Sequence, residues 1–187
     1  DFAKQTEQVL DYLYEQNHRQ IAFIGGEIRT VDLNGQKQYL LADVRTTAYE
    51  NWMTIHGLSD NIQIKTGDWT MGFALNATNA SIKSSGDQLP TAIISASDPM
   101  SIGIYRALQL KNIDIPETIS VFSFDDIEMA GFMSPPLSTV HIDSLEIGRV
   151  AVRLAKERIS DGRKTALRVE VASEIIVRDS VRKNKLS

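Results

Sequence analysis

The feature that most limits the fold is a run of eight residues, ISVFSFDD at positions 119–126. Residues that are β-branched, aromatic or small polar lead straight into Asp125 and Asp126. Such a run predicts a strand buried on both faces, as in a parallel sheet covered by helices, with charge gathered at its C-terminal end. Further strand candidates stand at 21–24, 62–65 and 92–95. They close at Gly25 and Gly26, at Gly67, Asp68 and Trp69, and at Ser97 and Asp98.

Helical stretches separate these runs. Asp1 is placed to cap a helix over 3–16, with Thr6, Val9, Leu10, Tyr12 and Leu13 along one side. Asn17 follows at a position that favours left-handed backbone. Asp43 opens a helix over 44–56, closed by Gly57, and Thr70 opens one reaching about 83. Pro99 sits at the first helical position of the next, which carries Met100, Ile104 and Leu108. A stripe of Ile147, Val150, Ala151, Leu154, Ala155 and Ile159 marks a last amphipathic helix, capped by Asp143 or Ser144. Residues 27–41 form a predicted polar loop with Asn34 and Gly35 as a turn or hairpin tip. Residues 84–87 form another loop, 127–131 a short helix, and 167–177 one or two β segments. Helix and strand alternate throughout, which means an α/β fold built on a doubly wound, mostly parallel sheet.

With 187 residues of ordinary composition, this is one good-sized domain or one plus a fragment. A net charge of −4 without a basic cluster argues against the chain itself gripping DNA. There is no cysteine, so thiol and disulfide chemistry is excluded. No apolar run approaches membrane-spanning length, and isolated histidines give no metal-ligand spacing. Arg178, Arg182, Lys183 and Lys185 are scattered, as expected of a solvated tail.

Parallel strands bring their C-terminal ends to one edge, where ligands of open α/β sheets sit. Asp68, Trp69, Ser97, Asp98, Asp125 and Asp126 all fall there, and Arg45 enters from the same side. Carboxylate and guanidinium groups bind vicinal hydroxyls through charge-assisted hydrogen bonds. An aromatic face covers the apolar side of a sugar ring. Each residue also has a plainer role: Asp98 and Asp126 as helix caps, Trp69 in packing, Arg45 in a surface ion pair. Two adjacent aspartates could also serve as an acid/base or metal pair.

The stretches HRQIAFIGG (18–26), RTTAY (45–49), GDWT (67–70), PTAIISASDPMSIGIYRAL (90–108), IPETISVFSFDDIEMA (115–130) and PPLSTV (135–140) carry a further signal. Through them the chain resembles the effector-binding domain of the lac/galactose repressor (LacI/GalR) family of bacterial transcription regulators. The loop over 27–41 and the FIGG start look like the β-galactoside-type members. The resemblance implies a two-lobed fold of the periplasmic-binding-protein kind. The second lobe would cover about 1–134 and a C-terminal return. First-lobe elements would cover about 138–160, with Thr139 and Val140 in a first-lobe strand. The DNA-binding headpiece is absent from these residues.

By position, Arg45 and Asp125 look like the family's sugar-contacting Arg and Asp, and Trp69 like its ring-stacking aromatic. Ser97 stands where many members have a sugar-binding Asn, beside Asp98 as a further ligand contact. Ile142 stands where the lac repressor is polar. The implied protein is a cytoplasmic, sugar-responsive regulator, not an enzyme, needing no cofactor and no membrane. Its partners would be a small saccharide, operator DNA through a headpiece, and a second copy of itself, with Ile102 and Met129 as dimer candidates. Arg45→Ala and Asp125→Ala should each weaken sugar binding while the fold survives. A periplasmic-type sugar receptor shares this fold, and an α/β hydrolase using Asp125 or Asp126 is the remaining alternative.

Overall fold

The computed structural model describes residues 1–32, 35, 38–86 and 88–185. In chain order the elements are α1 (Phe2–Glu15), β1 (Ile21–Val31), β2 (Gln38–Ala42), α2 (Val44–Ile55), β3 (Gln63–Gly67), α3 (Met71–Ser85), β4 (Ala92–Ser95), α4 (Asp98–Leu110), β5 (Ser120–Asp125), β6 (Ser138–His141), α5 (Ser144–Ser160) and β7 (Glu174–Ile176). Short 3-10 helices span Ser59–Asn61 and Glu128–Phe132.

β3, β1, β4, β5 and β6 lie side by side in that order and run parallel. The period of two along each strand divides the core. Phe23, Ile94, Phe122 and Phe124 point to one face, where Val9, Leu10 and Leu13 of α1 and Tyr49, Trp52 and Met53 of α2 cover them. Ile24, Ile93 and Val121 point to the other, under Ala74 and Ala77 of α3 and Met100, Ile104 and Leu108 of α4. Both faces are therefore dry, which is why these strands have so little polar alternation. The caps act as the residue types predict. Asp1 accepts from the amides of Ala3 and Lys4, Asp43 from Arg45, Thr70 from Phe73 and Asp143 from Glu146. Asn17 turns the chain at φ 66°.

α3 and α4 meet closely at Gly103. A Cβ there would lie 2.1 Å from the Met71 carbonyl oxygen, a backbone atom that cannot swing aside. Gly103→Ala is expected to lose about 1–3 kcal/mol of stability through overpacking, read from the urea midpoint.

Several expectations are corrected. β1 does not stop at Gly26. It runs on to Val31 and pairs antiparallel with β2, Ile28 opposite Leu41 and Glu27 opposite Ala42, so most of the expected loop is a hairpin. Of its expected tip, Gly35 has φ 70° and Asn34 lies outside the described residues. Helix α3 continues to Ser85, shortening the loop expected at 84–87; Asp87 also lies outside the described residues. The expectation of one or two β segments over 167–177 is met by one strand among the described residues, β7. Thr139 and Val140 belong to β6, opposite Ser123 and Phe124, and so stay in this sheet rather than entering a first-lobe strand.

The tail is no solvated appendage either. Ser180 is fully buried, donating to the Val121 carbonyl and accepting from the Ser138 amide. His18 hydrogen-bonds the Arg182 carbonyl at 3.0 Å, and Arg182 pairs with Glu117. Arg178 donates to the Leu137 carbonyl and to Asp126.

Candidate functional site

The order in which the chain adds parallel strands reverses between β1 and β4, with β3 added on one side of β1 and β4 on the other. The chain leaves β1 for α2 on one face and leaves β4 for α4 on the other. The crevice outside the strand ends at such a switch point is where open α/β sheets hold ligands. Arg45, at the start of α2, spans that point. Its Nη1 donates to the carbonyl of Ala96, just past β4, at 2.8 Å.

Arg45 is only 7% exposed, and its charge is met by Asp43. The contact is bidentate, Nε to Oδ1 at 2.7 Å and Nη2 to Oδ2 at 3.1 Å. Such a fork fixes the guanidinium plane as well as its charge. Three aromatic rings surround it. The guanidinium carbon lies 4.3 Å from the Phe2 ring centre, 4.8 Å from that of Trp69 and 5.7 Å from that of Phe124. Trp69 is 39% exposed and anchored by its indole N–H, which donates to the Glu27 carbonyl at 3.0 Å. It lies over Gly26, where a Cβ would stand 1.9 Å from the indole ring, so only glycine lets the ring come so close.

Asp125 ends β5 with φ 114°, and Asp126 follows with φ 56°. The turn aims Asp125 back toward the α4 N-terminus, near the backbone N–H and the carboxylate of Asp98. Burial, with the Asp98 carboxylate close by, pushes the Asp125 carboxyl up to about 6 against the opposing pull of Arg45 and of that N–H. Ser97 is half-buried at the cap of α4 and makes no side-chain cap bond.

Asp98 departs from the sequence reading. It is fully buried, and both oxygens are taken: Oδ1 by the Thr139 hydroxyl at 2.8 Å, Oδ2 by the Ile127 amide at 2.9 Å. Its carboxylate is turned inward rather than to the edge and does not cap its own helix; it pins the turn after β5 to β6. Asp126 is no cap either, being held by His141 and Arg178.

The structure thus gathers Arg45, Trp69 and Asp125 at the carboxyl-end edge of the sheet, with Ser97 at the start of α4 on the same edge and Asp98 turned inward beside it. Sequence reasoning missed Phe2, Phe124 and the pairing role of Asp43. The D-x-R spacing of Asp43 and Arg45 was visible, but an N-cap explained the Asp and hid the pair. Among the described residues no cluster of three or more His, Asp or Glu side chains could hold a metal ion.

Residues 10–181 match the family described as periplasmic binding protein-like domain. The HTH-type transcriptional regulator GanR of Bacillus subtilis is 35% identical over 185 residues, covering 97% of this chain and 54% of its own length. The chain therefore spans about half the length of that curated relative. Among solved structures, a putative LacI transcriptional regulator from Bacillus cereus superposes with a TM-score of 0.82 at 25% identity, over 99% of this chain and 62% of the other. A sugar-binding transcriptional regulator of the LacI family from Escherichia coli gives 0.76 at 25% identity, over 98% and 62%.

Proposed function

Because the chain belongs to the LacI/GalR family of transcriptional regulators, we propose that it is the effector-binding part of a saccharide-responsive repressor acting on operator DNA in the cytoplasm. The observation that carries this reading is the forked Asp43–Arg45 pair beside Trp69 and Asp125 at the switch point. Fixed donors, an ionisable acceptor and an aromatic face are what a hydroxyl-rich ring needs. Asp125 and Asp126 are not arranged as an acid/base pair, because Asp126 is engaged by His141 and Arg178. That favours binding without turnover.

The apolar stripe of α5 supports a second lobe from the same protein. Val150 is its only buried residue, while Ile147 and Ile159 of the stripe are 44% and 83% exposed. Such a face needs cover, and the other lobe would supply it and close the crevice over Arg45. Saccharide bound between the lobes acts only through its different affinity for the two lobe arrangements.

A helix-turn-helix elsewhere in the protein would read the operator as a homodimer. Ile102 and Met129 line a hollow of about 620 Å³ between α4 and the turn before β6, with Phe132 exposed nearby. Met129→Asp is expected to shift the full-length protein from dimer towards monomer in sedimentation. An unchanged dimer would move the contact elsewhere.

The deciding experiment is thermal melting of the full-length protein with mono- and disaccharides, galactose and lactose among them, paired with operator binding. A sugar at a hundred times its Kd should stabilise by about 2.7 kcal/mol and change operator affinity. Hydrolysis of a glycoside that disappears in Asp125→Asn would replace this reading with a hydrolase.

A further inference from the structure

β6 ends at His141 and β7 begins beside it, antiparallel, with His141 opposite Glu174 and Thr139 opposite Ile176. Residues 142–173 are therefore an excursion that leaves the sheet and returns to it at one place. Its helix α5 buries a single residue. Exposed ion pairs from Asp1 to Arg168 and Glu170 touch it, and the two stalks at its ends join it to the sheet.

One side chain grips both stalks. Asp126 Oδ2 lies 3.0 Å from His141 Nδ1, at the outgoing end. Asp126 Oδ1 accepts from Arg178 Nη2 at 2.7 Å, at the returning end. Arg178 in turn donates through Nη1 to the Leu137 carbonyl at 2.8 Å, and its amide donates to the Ser138 hydroxyl at 2.9 Å. The Asp126 side chain is 15% exposed, so water competes weakly for these bonds.

The same carboxylate is one peptide away from Asp125. Both residues have positive φ, a conformation that L residues rarely adopt. Asp98 braces the turn from beneath, its Oδ2 accepting the Ile127 amide at 2.9 Å and its Oδ1 the Thr139 hydroxyl at 2.8 Å. Asp125 and Asp126 thus share one braced turn. Strained residues that their surroundings over-determine are candidates for switching elements.

We propose that Asp126 is a positioning residue that transmits occupancy of Asp125 to the two stalks of the 142–173 excursion, by shifting its grip on His141 and Arg178. This rests on the reading of Asp125 as a saccharide contact. Asp126 does not touch the sugar. It sets how strongly sugar binding biases the lobe arrangement.

The test uses the full-length regulator, with galactose and lactose as probes. Asp126→Asn should leave the sugar Kd within about threefold of wild type. The ratio of operator affinities without and with sugar should fall about tenfold, within the range of ordinary allosteric couplings. Arg178→Met should lower the same ratio, and Arg178→Lys should restore part of it. A merely structural residue would lower stability without separating Kd from that ratio. The proposal is overturned if Asp126→Asn keeps the wild-type ratio, or if it loses sugar affinity as far as Asp125→Asn does.

If neither sugar binds the wild type, the reading of Asp125 fails on its own, and a sugar-free measurement decides the grip. Amide exchange at 138–141 and 174–178 should then speed up about tenfold in Asp126→Asn, with β1 and β4 unchanged. Unchanged exchange at both stalks would overturn the proposal.

Discussion

Arg45→Ala is expected to lower the stability of the folded chain by about 3–5 kcal/mol, seen as a lower urea midpoint at pH 7. The reason is the partner left behind. Asp43 is 5% exposed, and both its oxygens bind Arg45. Without the guanidinium it becomes a buried, unpaired charge. The Ala96 carbonyl also loses the Nη1 donor that ties α2 to the end of β4. This departs from the sequence expectation, which let the fold survive the loss of Arg45. Removing both charges should cost far less than removing one, so Asp43→Asn with Arg45→Met is expected to recover most of the lost stability. Arg45→Lys keeps the charge but not the fork, and should fall between the two. A stability for Arg45→Ala equal to that of wild type would mean that the pair is not buried as described.

The parts of the fold legible in the sequence were those set by local rules. The caps at Asp1, Asp43, Thr70 and Asp143, the left-handed Asn17 and the buried strands all follow from residue type and short-range spacing. What stayed hidden depends on partners far along the chain. Glu27, Arg29 and Thr30 make the end of β1 look like polar loop, and only pairing with β2 makes it a strand. Arg178 looks like tail until it meets Asp126, 52 residues away. At the site, position alone could place Arg45, Trp69, Ser97 and Asp125 at one edge, because parallel strands share an end. It could not tell that Asp98, one residue beyond Ser97, turns inward to Thr139 and Ile127. Backbone geometry at the start of α4 decides which of two neighbouring polar residues faces the crevice.

Asp125→Asn should make the protein more stable above pH 6 and a poorer binder of sugar. In the folded chain burial raises the Asp125 carboxyl from the ordinary 3.8 to about 6. The folded state thus holds the proton more tightly than the unfolded chain does. Below pH 4 both states are protonated and the group costs nothing. Between pH 4 and 6 the unfolded chain ionises first, and stability falls as pH rises. Above 6 the full penalty remains, roughly 3 kcal/mol from the size of the shift. An amide carries no such penalty, so the variant should lack this slope and unfold at a higher urea concentration at pH 8. The charge that weakens the fold is the one that would hold a hydroxyl. A hydrogen bond to a charged group contributes about 1.5–3 kcal/mol, so saccharide affinity should fall roughly tenfold to a hundredfold in Asp125→Asn. In the wild type, affinity should rise with pH up to about 6 and then level off, while in the variant it should be flat. Stability gained with affinity lost is the mark of a group kept for binding rather than folding. A variant that gains stability yet binds sugar as well as wild type would leave Asp125 as a buried acid with no part in recognition.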